Sequence, residues 1–528
     1  MNVTPRRTGA LIAAAALALP LLLAGAPAAT ADRGHRPGQG HRHDRPADDA
    51  RKLAAKLVAK SSAHDAYRHL RALQTIADRH DGHRAAGSPG HEASAEYVGT
   101  LLKSAGYQVS YQTFDFVYTE TLAQKLTVLS PGPRELDLRA MSYTRSTPEG
   151  GIEAALATVP VDADATSGCE AADYGTSGAY TGKIAVIRRG GCSFAVKQAL
   201  AADAGAVGAV IYNNEDGELS GTLGSADAAR IPTGGLTRAE GDALAAEAAK
   251  GTVTVRFDVR ELQEPRKTRN VLAETRGGSA ARTVMLGAHL DSVTEGPGIN
   301  DNGSGSAGLL EVALDLAHTP GQPRNKVRFA WWSAEENGLL GSEAYVAALS
   351  PARREAVALY LNFDMIASPN PVQLVYDGDD SDAEGEGPGP EGSAQLERDI
   401  NRYLDGRRSP HEGTDFDGRS DYGPFIEAGI PAGGTFTGAE GVKTEAQAKK
   451  YGGTAGLAHD PCYHAACDTL KNLDMKVFDL NIDVIANAVG TYAHDLSSLK
   501  PAKGATARAE HATRTGATST APDQPRKR

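Results

Sequence analysis

The stretch "GAHLDSVTEGPGINDNGSGSAG" spans residues 287–308 and follows an apolar run, "TVML", that is typical of a buried strand. His289 and Asp291 stand at the end of this run, and Asp301 lies between two asparagines in a segment rich in glycine and serine. An imidazole and two carboxylates are unsuited to an apolar core, because burying them without partners is costly. Their position after a predicted strand therefore indicates a catalytic or ligand-binding site.

The sequence around this stretch alternates between strand and helix patterns. The helical spacing of "GSAGLLEVALDLAH" is followed by two predicted strands, "KVRFAWWSAE" and "ALYLNFDMI". Strands that alternate with helices predict an α/β fold in which a mostly parallel, mixed sheet is flanked by helices. Ligands of such open sheets bind beyond the carboxyl ends of the strands, so the residues at those ends form the candidate site.

Four carboxylates and two imidazoles are expected near this edge of the sheet: His289, Asp301, Glu335, Glu336, Asp364 and His464. Two carboxylates about 4 Å apart repel each other by about 4 kcal/mol at an effective dielectric near 20, so the cluster needs cations. Oxygen and imidazole ligands without thiolate suit zinc, with manganese or cobalt as alternatives. One carboxylate can bridge two ions roughly 3.5–4 Å apart.

The spacing of neighbouring residues suggests how the ligands divide. Adjacent residues in an extended chain point to opposite sides, so we expect Glu335 and Glu336 not to bind the same ion. Asp291 is two residues from His289 and shares its side of the strand. It is therefore predicted to hold the second ring nitrogen of His289.

Several further motifs occur in order along the chain: "FAWWSAEENGLLGS", "LNFDMIASPNP", "DGRSDYGPF" and "GGTAGLAHDPCYHAACD". Together with "GAHLDSV" and "GPGINDNGSGSAGLLE", they resemble the secreted di-zinc aminopeptidases of clan MH, of the streptomycete aminopeptidase and aminopeptidase Y type. The resemblance covers about residues 62–125 and 265–497. It implies hydrolysis of N-terminal residues from peptides, with a preference for large apolar residues such as leucine.

The resemblance also implies a ligand set for two zinc ions. His289 and Asp364 would hold one ion, and Glu336 and His464 would hold the other. Asp301 would bridge the two ions.

The catalytic and substrate-binding roles are likewise implied by the resemblance. Glu335 would act as general base and acid, and Tyr463 would donate a hydrogen bond to the oxyanion. Arg419 matches a residue near the substrate. Tyr422 stands where the family has a histidine, so the side-chain preference is expected to differ. Asp291 would be the partner of His289.

Calcium is a further cofactor that the family can bind, through acids that match Asp479 and Asp483. The expected third acid falls near Lys60, so a calcium site is not favoured. The acidic stretch 377–392 is predicted to be a solvated surface loop rather than a calcium site.

A different pattern, rich in glycine and short strands, occupies residues 131–264 between the two parts of the predicted peptidase domain (62–130 and 265–497). The segment that starts at "CEAADYGTSGAYTGKIAVIRR" resembles the protease-associated domain, which is a smaller, β-rich α/β domain without a catalytic group. We favour a substrate lid as its role over a passive attachment.

Four cysteines in an exported chain suggest two disulfides. The short loop between Cys462 and Cys467 favours their pairing, whereas Cys169 and Cys192 match the cysteine pair of the protease-associated domain. A zinc site is the less favoured alternative, because neither pair has C-x-x-C spacing.

The two ends of the chain differ in composition from the rest. Residues 1–31, with Arg6 and Arg7 before an apolar run and an Ala-Thr-Ala end, are predicted to be a cleaved signal peptide rather than a membrane anchor. Residues 32–61 are predicted to be a polar linker, and residues 498–528 a disordered tail.

Export and charge limit the partners that we expect. Without residues 1–31 the formal charge changes from −11 to −13, which argues against nucleic acid. We therefore expect a secreted monomer that acts on peptides with a free N-terminus and that has no membrane attachment after cleavage.

Three other functions compete with this interpretation. A non-catalytic ectodomain would have lost metal ligands, and glutaminyl cyclases of the same fold use one zinc, but all five ligand positions are retained here. A carboxypeptidase would need a cationic clamp for the C-terminal carboxylate, for which Arg419 alone is thin support.

Overall fold

The computed structural model describes residues 46–499, except residues 162–165, 177, 215–216 and 384–386. The predicted signal peptide lies outside the described residues, as do residues 32–45 and 500–528 of the predicted linker and tail. Among the residues described, no helix combines the length and the apolar character that crossing a bilayer requires.

The secondary structure alternates between helices and strands. The helices are α1 (Pro46–Val58), α2 (Ala63–Arg79), α3 (Pro89–Ser104), α4 (Phe194–Asp203), α5 (Arg238–Ala248), α6 (Gly303–Ala317), α7 (Leu340–Ala347), α8 (Pro351–Ala356), α9 (Ser393–Arg407), α10 (Gly423–Glu427), α11 (Glu445–Tyr451) and α12 (Met475–Tyr492). The strands are β1 (Gln108–Ser130), β2 (Arg134–Leu136), β3 (Arg139–Ala140), β4 (Ile152–Thr158), β5 (Ile184–Arg188), β6 (Gly208–Tyr212), β7 (Thr233–Leu236), β8 (Thr254–Glu274), β9 (Ser279–His289), β10 (Asn325–Trp332), β11 (Val357–Phe363), β12 (Leu374–Tyr376), β13 (Glu412–Thr414) and β14 (Ala432–Phe436).

The sheet of the larger α/β domain has β9 at its centre. Both neighbours of β9, β10 and β11, run parallel to it, and β14 runs parallel to β11. The antiparallel pairs β8–β10 and β12–β14 lie further out. The predicted mostly parallel, mixed sheet is therefore confirmed.

Helices cover both faces of this sheet, as predicted. On one face, apolar residues of α2, α3, α6 and α12 join the strands in a large core that includes Leu70, Leu102, Leu310 and Ile485. On the other face, Phe425 of α10 stacks on Tyr360 of β11 with ring centroids 3.8 Å apart. The apolar runs of the central strands follow from this burial on both sides.

Helix α6 begins directly behind the predicted site, because its first turn is built from small residues. The side chain of Asn302 caps the helix by accepting a hydrogen bond from the backbone of Gly305. A Cβ atom at Gly305 would lie 2.1 Å from the carbonyl oxygen of Phe363. Glycine at this position therefore lets the helix approach the end of β11.

The inserted module grows out of a long two-stranded ribbon. Strands β1 and β8 pair antiparallel from Gln108–Glu274 to Ser130–Thr254, and the module occupies the chain between them. Inside it, β4, β5, β6 and β7 form parallel pairs with their own apolar core, which includes Val186, Val210 and Phe257. The disulfide Cys169–Cys192 lies in this module, with the two Cα atoms 5.8 Å apart.

The predicted polar linker is wrong for residues 46–58, which form helix α1. Ala50, Ala54 and Leu57 recur at helical spacing and are buried, and α1 packs on α12. The apolar pattern was not recognised in the sequence, because the segment is rich in charged residues and two of its three buried residues are small alanines. The predicted tail also starts too early, since Ser497–Leu499 forms a short 3-10 helix.

The contact between α1 and α12 depends on Gly490, where a Cβ atom would lie 2.3 Å from the backbone of Ala54. We expect Gly490→Ala to lower the free energy of unfolding by about 1–3 kcal/mol, because the two helices must separate. The matched control is Gly406→Ala in α9, where nothing lies within 4 Å of the added atom. That change should be neutral or stabilise by up to about 1 kcal/mol. Urea denaturation of both variants checks this, and equal stability would contradict the packing of α1.

Candidate active site

The ends of three adjacent parallel strands bring the predicted ligands together. His289 is the last residue of β9, and Asp364 directly follows β11. Glu335 and Glu336 do not end a strand, because β10 stops at Trp332 and the chain turns at Ala334, whose φ is 58°. The sequence argument from an extended chain was therefore wrong in its premise, although the two glutamates still reach different partners.

Asp301 lies between two pairs of imidazole and carboxylate. Its Oδ1 is 3.2 Å from His289 Nε2, which is in turn 3.3 Å from Asp364 Oδ1. Its Oδ2 is 3.2 Å from His464 Nε2, which is 3.0 Å from Glu336 Oε2. One carboxylate thus offers one oxygen to each pair, which is the arrangement that a ligand bridging two cations needs.

Glu335 lies close to this cluster but farther from the imidazoles. Its Oε2 is 3.9 Å from His289 Nε2. Ligand atoms of His289, Glu335 and Asp364 lie within 4.8 Å of one another, and so do those of His289, Asp301 and Glu336. Glu335 can therefore reach a molecule that is held between the two pairs.

The site is buried and strongly charged, and the pKa values reflect both facts. Burial raises the pKa of Glu335 well above its usual range, and Asp364 and Glu336 add to the rise. Burial likewise raises the pKa of Glu336 to about 6, against the effect of His464. Burial would lower the pKa of His289, but the carboxylates of Asp364 and Glu335 raise it well above its usual value. The cluster therefore favours positive charge at its centre.

The residues fit a divalent cation of the zinc type. Among the described side chains, the buried oxygens Glu336 Oε1 and Asp364 Oδ1 have no hydrogen-bond donor. Buried polar atoms normally have a partner, so these two atoms point to a ligand. Imidazole and carboxylate donors without thiolate are the set that catalytic zinc sites use.

The predicted contact between Asp291 and His289 is partly different in the structure. His289 Nδ1 lies 3.2 Å from the carbonyl oxygen of Asp291 and 3.7 Å from its carboxylate oxygen Oδ1. The same Oδ1 accepts a hydrogen bond from the backbone of Glu335 at 3.4 Å. Asp291 therefore links the ring of His289 to the loop that carries Glu335 and Glu336.

A cleft of about 520 Å³, part of which is open to solvent, lies over the cluster, and Tyr463 and Arg419 line it. The ring of Tyr463 stacks on that of His464 with centroids 3.8 Å apart, and its hydroxyl accepts a hydrogen bond from Arg419 at 3.3 Å. Arg419 also forms an ion pair with Glu440 at 2.8 Å. The Tyr463 hydroxyl is thus held beside the candidate ligands.

The aromatic wall of the cleft includes Tyr422. Its hydroxyl donates to Asp417 at 2.6 Å, and its ring packs edge-on against Tyr376 and Phe416. Tyr376, Phe436 and Met365 also line the cleft. This wall offers apolar surface next to the charged cluster.

The disulfide Cys462–Cys467 closes the loop that carries Tyr463 and His464, with Cα atoms 5.3 Å apart. Both cysteine pairings expected from the sequence analysis are therefore present. Because the loop is short, the bond restricts the positions that His464 can take.

Sequence reasoning missed three residues that hold the ligands in place. Asp468 accepts hydrogen bonds from the backbone of Asn300 and Asp301 at 2.8 and 2.9 Å. Arg84 is fully buried and donates to the carbonyl oxygens of Pro297 and Gly298 at 2.9 and 2.6 Å. Ser420 donates to Asp364 Oδ2 at 2.6 Å.

Different sequence signals accompany these three residues. Ser420 lies in a quoted motif, "DGRSDYGPF", and Asp468 ends another, "GGTAGLAHDPCYHAACD". Arg84 in "HRAAGSPG" precedes a helix start and gives no local sign of its distant partners.

The acids considered for calcium have other partners. Asp479 accepts a hydrogen bond from the backbone of Ala63 at 2.8 Å, and Asp483 pairs with Arg407 at 2.7 Å. In the acidic stretch, Asp377 accepts hydrogen bonds from the backbone of Asp379 and Asp382. Asp479 and Asp483 thus have protein partners, whereas oxygens of Asp377, Asp379 and Glu397 lie within 4.8 Å of one another. The prediction that neither place binds calcium stays a prediction.

Comparison with known proteins agrees with this geometry. Residues 270–489 match the model of peptidase family M28, and residues 153–244 match that of the PA domain. Leucine aminopeptidase 2 of Trichophyton equinum is 45% identical over 426 residues, which cover 80% of this chain and 83% of that protein. The chain belongs to peptidase family M28.

Two further relatives resemble this M28 chain along most of its length. A probable lipoprotein aminopeptidase of Mycobacterium tuberculosis, LpqL, is 42% identical over 451 residues, covering 85% of this chain and 88% of the relative. The structure of an aminopeptidase from Aneurinibacillus sp. is 28% identical with a TM-score of 0.66, covering 83% of this chain and 95% of that one. The predicted M28-type fold with an inserted PA domain is thereby confirmed.

Metal removal should destabilise the M28 domain, because the carboxylates around Asp301 then repel each other without a cation. We expect a chelator to lower the melting temperature by roughly 2–5 °C and excess zinc to restore it. His464→Ala should abolish part of this shift. The control is His411→Ala, which should keep the full shift. The ring Nδ1 of His411 lies 3.1 Å from the carbonyl oxygen of Ser409, and the hydrogen bond from Lys450 goes to the backbone carbonyl of His411, which the substitution keeps. An unchanged shift in His464→Ala would contradict the ligand role.

Proposed function

We propose that this M28 chain is a secreted aminopeptidase that uses two zinc ions to release N-terminal residues from peptides. The observation that carries the proposal is the position of Asp301, whose two oxygens each lie 3.2 Å from a different histidine. His289 and Asp364 would hold one ion, and Glu336 and His464 the other.

The relatives support the type of reaction. Two relatives that match more than three quarters of the chain are named leucine aminopeptidase 2 and probable lipoprotein aminopeptidase LpqL, and one similar structure is an aminopeptidase. The aromatic wall with Tyr376 and Phe436 supports a preference for large apolar residues such as leucine, because apolar side chains gain by leaving water.

Zinc, when bound, lowers the pKa of a water molecule from 15.7 to about 7 and polarises a peptide carbonyl. Glu335 would accept the proton of the attacking water and pass it to the leaving amine. Tyr463 would donate a hydrogen bond to the oxyanion, and its contact with Arg419 orients its hydroxyl for that purpose. The acidic cluster would hold the ammonium group of the substrate, which restricts cleavage to the first residue.

The competing functions are less well supported. Arg419 already pairs with Glu440, so its charge is not a free clamp for the C-terminal carboxylate that a carboxypeptidase binds. The other four candidate ligands converge on Asp301, which does not favour a non-catalytic ectodomain or the single zinc of a glutaminyl cyclase. A secreted monomer acting on free peptide N-termini remains our expectation.

Purified protein should hydrolyse leucine p-nitroanilide, and a chelator should abolish this activity because the cluster needs its cations. Elemental analysis of the active protein should give two zinc ions per chain. N-acetylated leucine peptides should not be cleaved, since they lack the ammonium group. Cleavage of acetylated peptides, or no turnover by the zinc-loaded protein, would overturn the proposed aminopeptidase activity.

The two neighbouring glutamates should respond differently to substitution. Glu335→Gln should lower kcat by about 100-fold to 10,000-fold while zinc stays bound, because it removes only the proton carrier. Glu336→Gln should release one zinc ion, since its oxygen lies 3.0 Å from the second histidine. Kinetics and elemental analysis measure both effects, and the exposed Glu343→Gln serves as the control. The reverse pattern would exchange the two roles.

A further inference from the structure

The loop that carries Glu335 and Glu336 is fixed at both ends by strand β8. Ser333 at its start shares a hydrogen bond with Thr268 at 2.6 Å and donates its backbone N–H to Asn270 at 3.0 Å. The amide of Asn270 donates to the carbonyl oxygen of Gly341 at 2.8 Å, at the far end of the loop. Both β8 residues are buried, so these contacts are shielded from water.

The tip of the same loop contacts the inserted module at Tyr143, which precedes the residues 153–244 that match the PA domain. The hydroxyl of Tyr143 donates to the carbonyl oxygen of Asn337 at 3.4 Å, one residue beyond Glu336. Tyr143 itself has a left-handed φ of 67°, and its backbone N–H donates to the carboxylate of Glu261 at 3.2 Å. A bulky residue takes this backbone conformation rarely, so neighbouring contacts must hold it.

Apolar packing adds to the contact between the ribbon and the loop. Phe116 and Tyr118 of β1 form a buried cluster with Ala334, the residue directly before Glu335. Leu262 of β8 and Leu340 at the end of the loop pack against this cluster. Residues of β1 and β8 therefore cover the loop on the side where Ala334 and Leu340 pack.

The described residues of the segment 131–264 do not line the cleft, whereas Tyr143 reaches the Glu335–Glu336 loop from outside it. We infer that Tyr143 is a positioning residue, through which the inserted module holds the loop that carries the general base and one zinc ligand. The inference rests on the proposed function. It differs from the lid role favoured by the sequence, because a lid would contact the substrate itself.

The test compares two conservative substitutions in the PA domain. Tyr143→Phe removes the hydroxyl that reaches Asn337 and keeps the ring. The control Tyr180→Phe removes a hydroxyl that donates to the carbonyl oxygen of Thr158 at 2.9 Å, within the same domain. Both changes cost the PA domain one hydrogen bond to a backbone carbonyl, but only the first concerns the catalytic loop.

For Tyr143→Phe we expect kcat to fall about twofold to tenfold, the range that a single hydrogen bond supplies, with KM little changed. The fall should be equal for leucine p-nitroanilide and for longer peptides with N-terminal leucine. Tyr180→Phe should leave kcat at the wild-type value. A change in KM that grows with peptide length would instead identify a lid, and equal kcat in both variants would make the contact irrelevant to catalysis. Either result overturns the inference.

A second measurement does not depend on turnover. Hydrogen–deuterium exchange in peptides that span residues 333–341 should be faster in Tyr143→Phe than in Tyr180→Phe, because the loop opens more often. Release of zinc to a coloured chelator should also be faster, since Glu336 moves with the loop. If wild-type protein shows no aminopeptidase activity, the proposed function fails while the exchange experiment still tests the contact. Unchanged exchange and zinc release in Tyr143→Phe would refute it.

Discussion

The repulsion among buried carboxylates at Asp301 is the constraint on which the site depends. Asp301, Glu335, Glu336 and Asp364 converge with side chains that are at most 11% exposed, so their charges are poorly screened. His289 and His464 lie one on each side of Asp301, and the neighbouring carboxylates raise the pKa values of both imidazoles. Positive charge is therefore stabilised at this place. Divalent cations would reduce the same repulsion and would also activate a water molecule. The charge balance that keeps the cluster stable would therefore also supply the proposed chemistry.

Hydrogen bonds from distant parts of the chain hold the backbone around Asp301 in place. Asp468, directly after the loop closed by Cys462–Cys467, accepts a hydrogen bond from the backbone of Asp301. Arg84 binds the backbone of the segment before Asp301. The fully buried guanidinium donates to backbone carbonyls, and burial lowers its pKa to about 10. It therefore keeps its positive charge at neutral pH, close to the acidic residues.

The inserted PA domain shares a structural element with the catalytic part of the chain. Strand β8 begins in the apolar core of the PA domain, at Val255 and Phe257, and ends beside β10 in the central sheet. The ladder between β8 and β1 is continuous apart from two irregularities, so paired backbone runs from one end of β8 to the other. The insertion is thus joined to the site by paired backbone rather than by a flexible linker.

The sequence by itself determined the α/β class and the candidate ligands, because strand and helix periods and the motifs around His289 and His464 are local. The resemblance to known families, rather than spacing, indicated the pairing of Cys169 with Cys192. The sequence did not reveal the roles of Arg84 and Tyr143. Their partners, the backbone carbonyls of Gly298 and Asn337, are far away in sequence. Helix α1 was not recognised either, because Ala50 and Ala54 resemble linker residues until Gly490 allows α12 to approach. Only the tertiary structure decided which oxygen of Asp301 faces which histidine, because that choice depends on where three separate strands and a disulfide-closed loop meet.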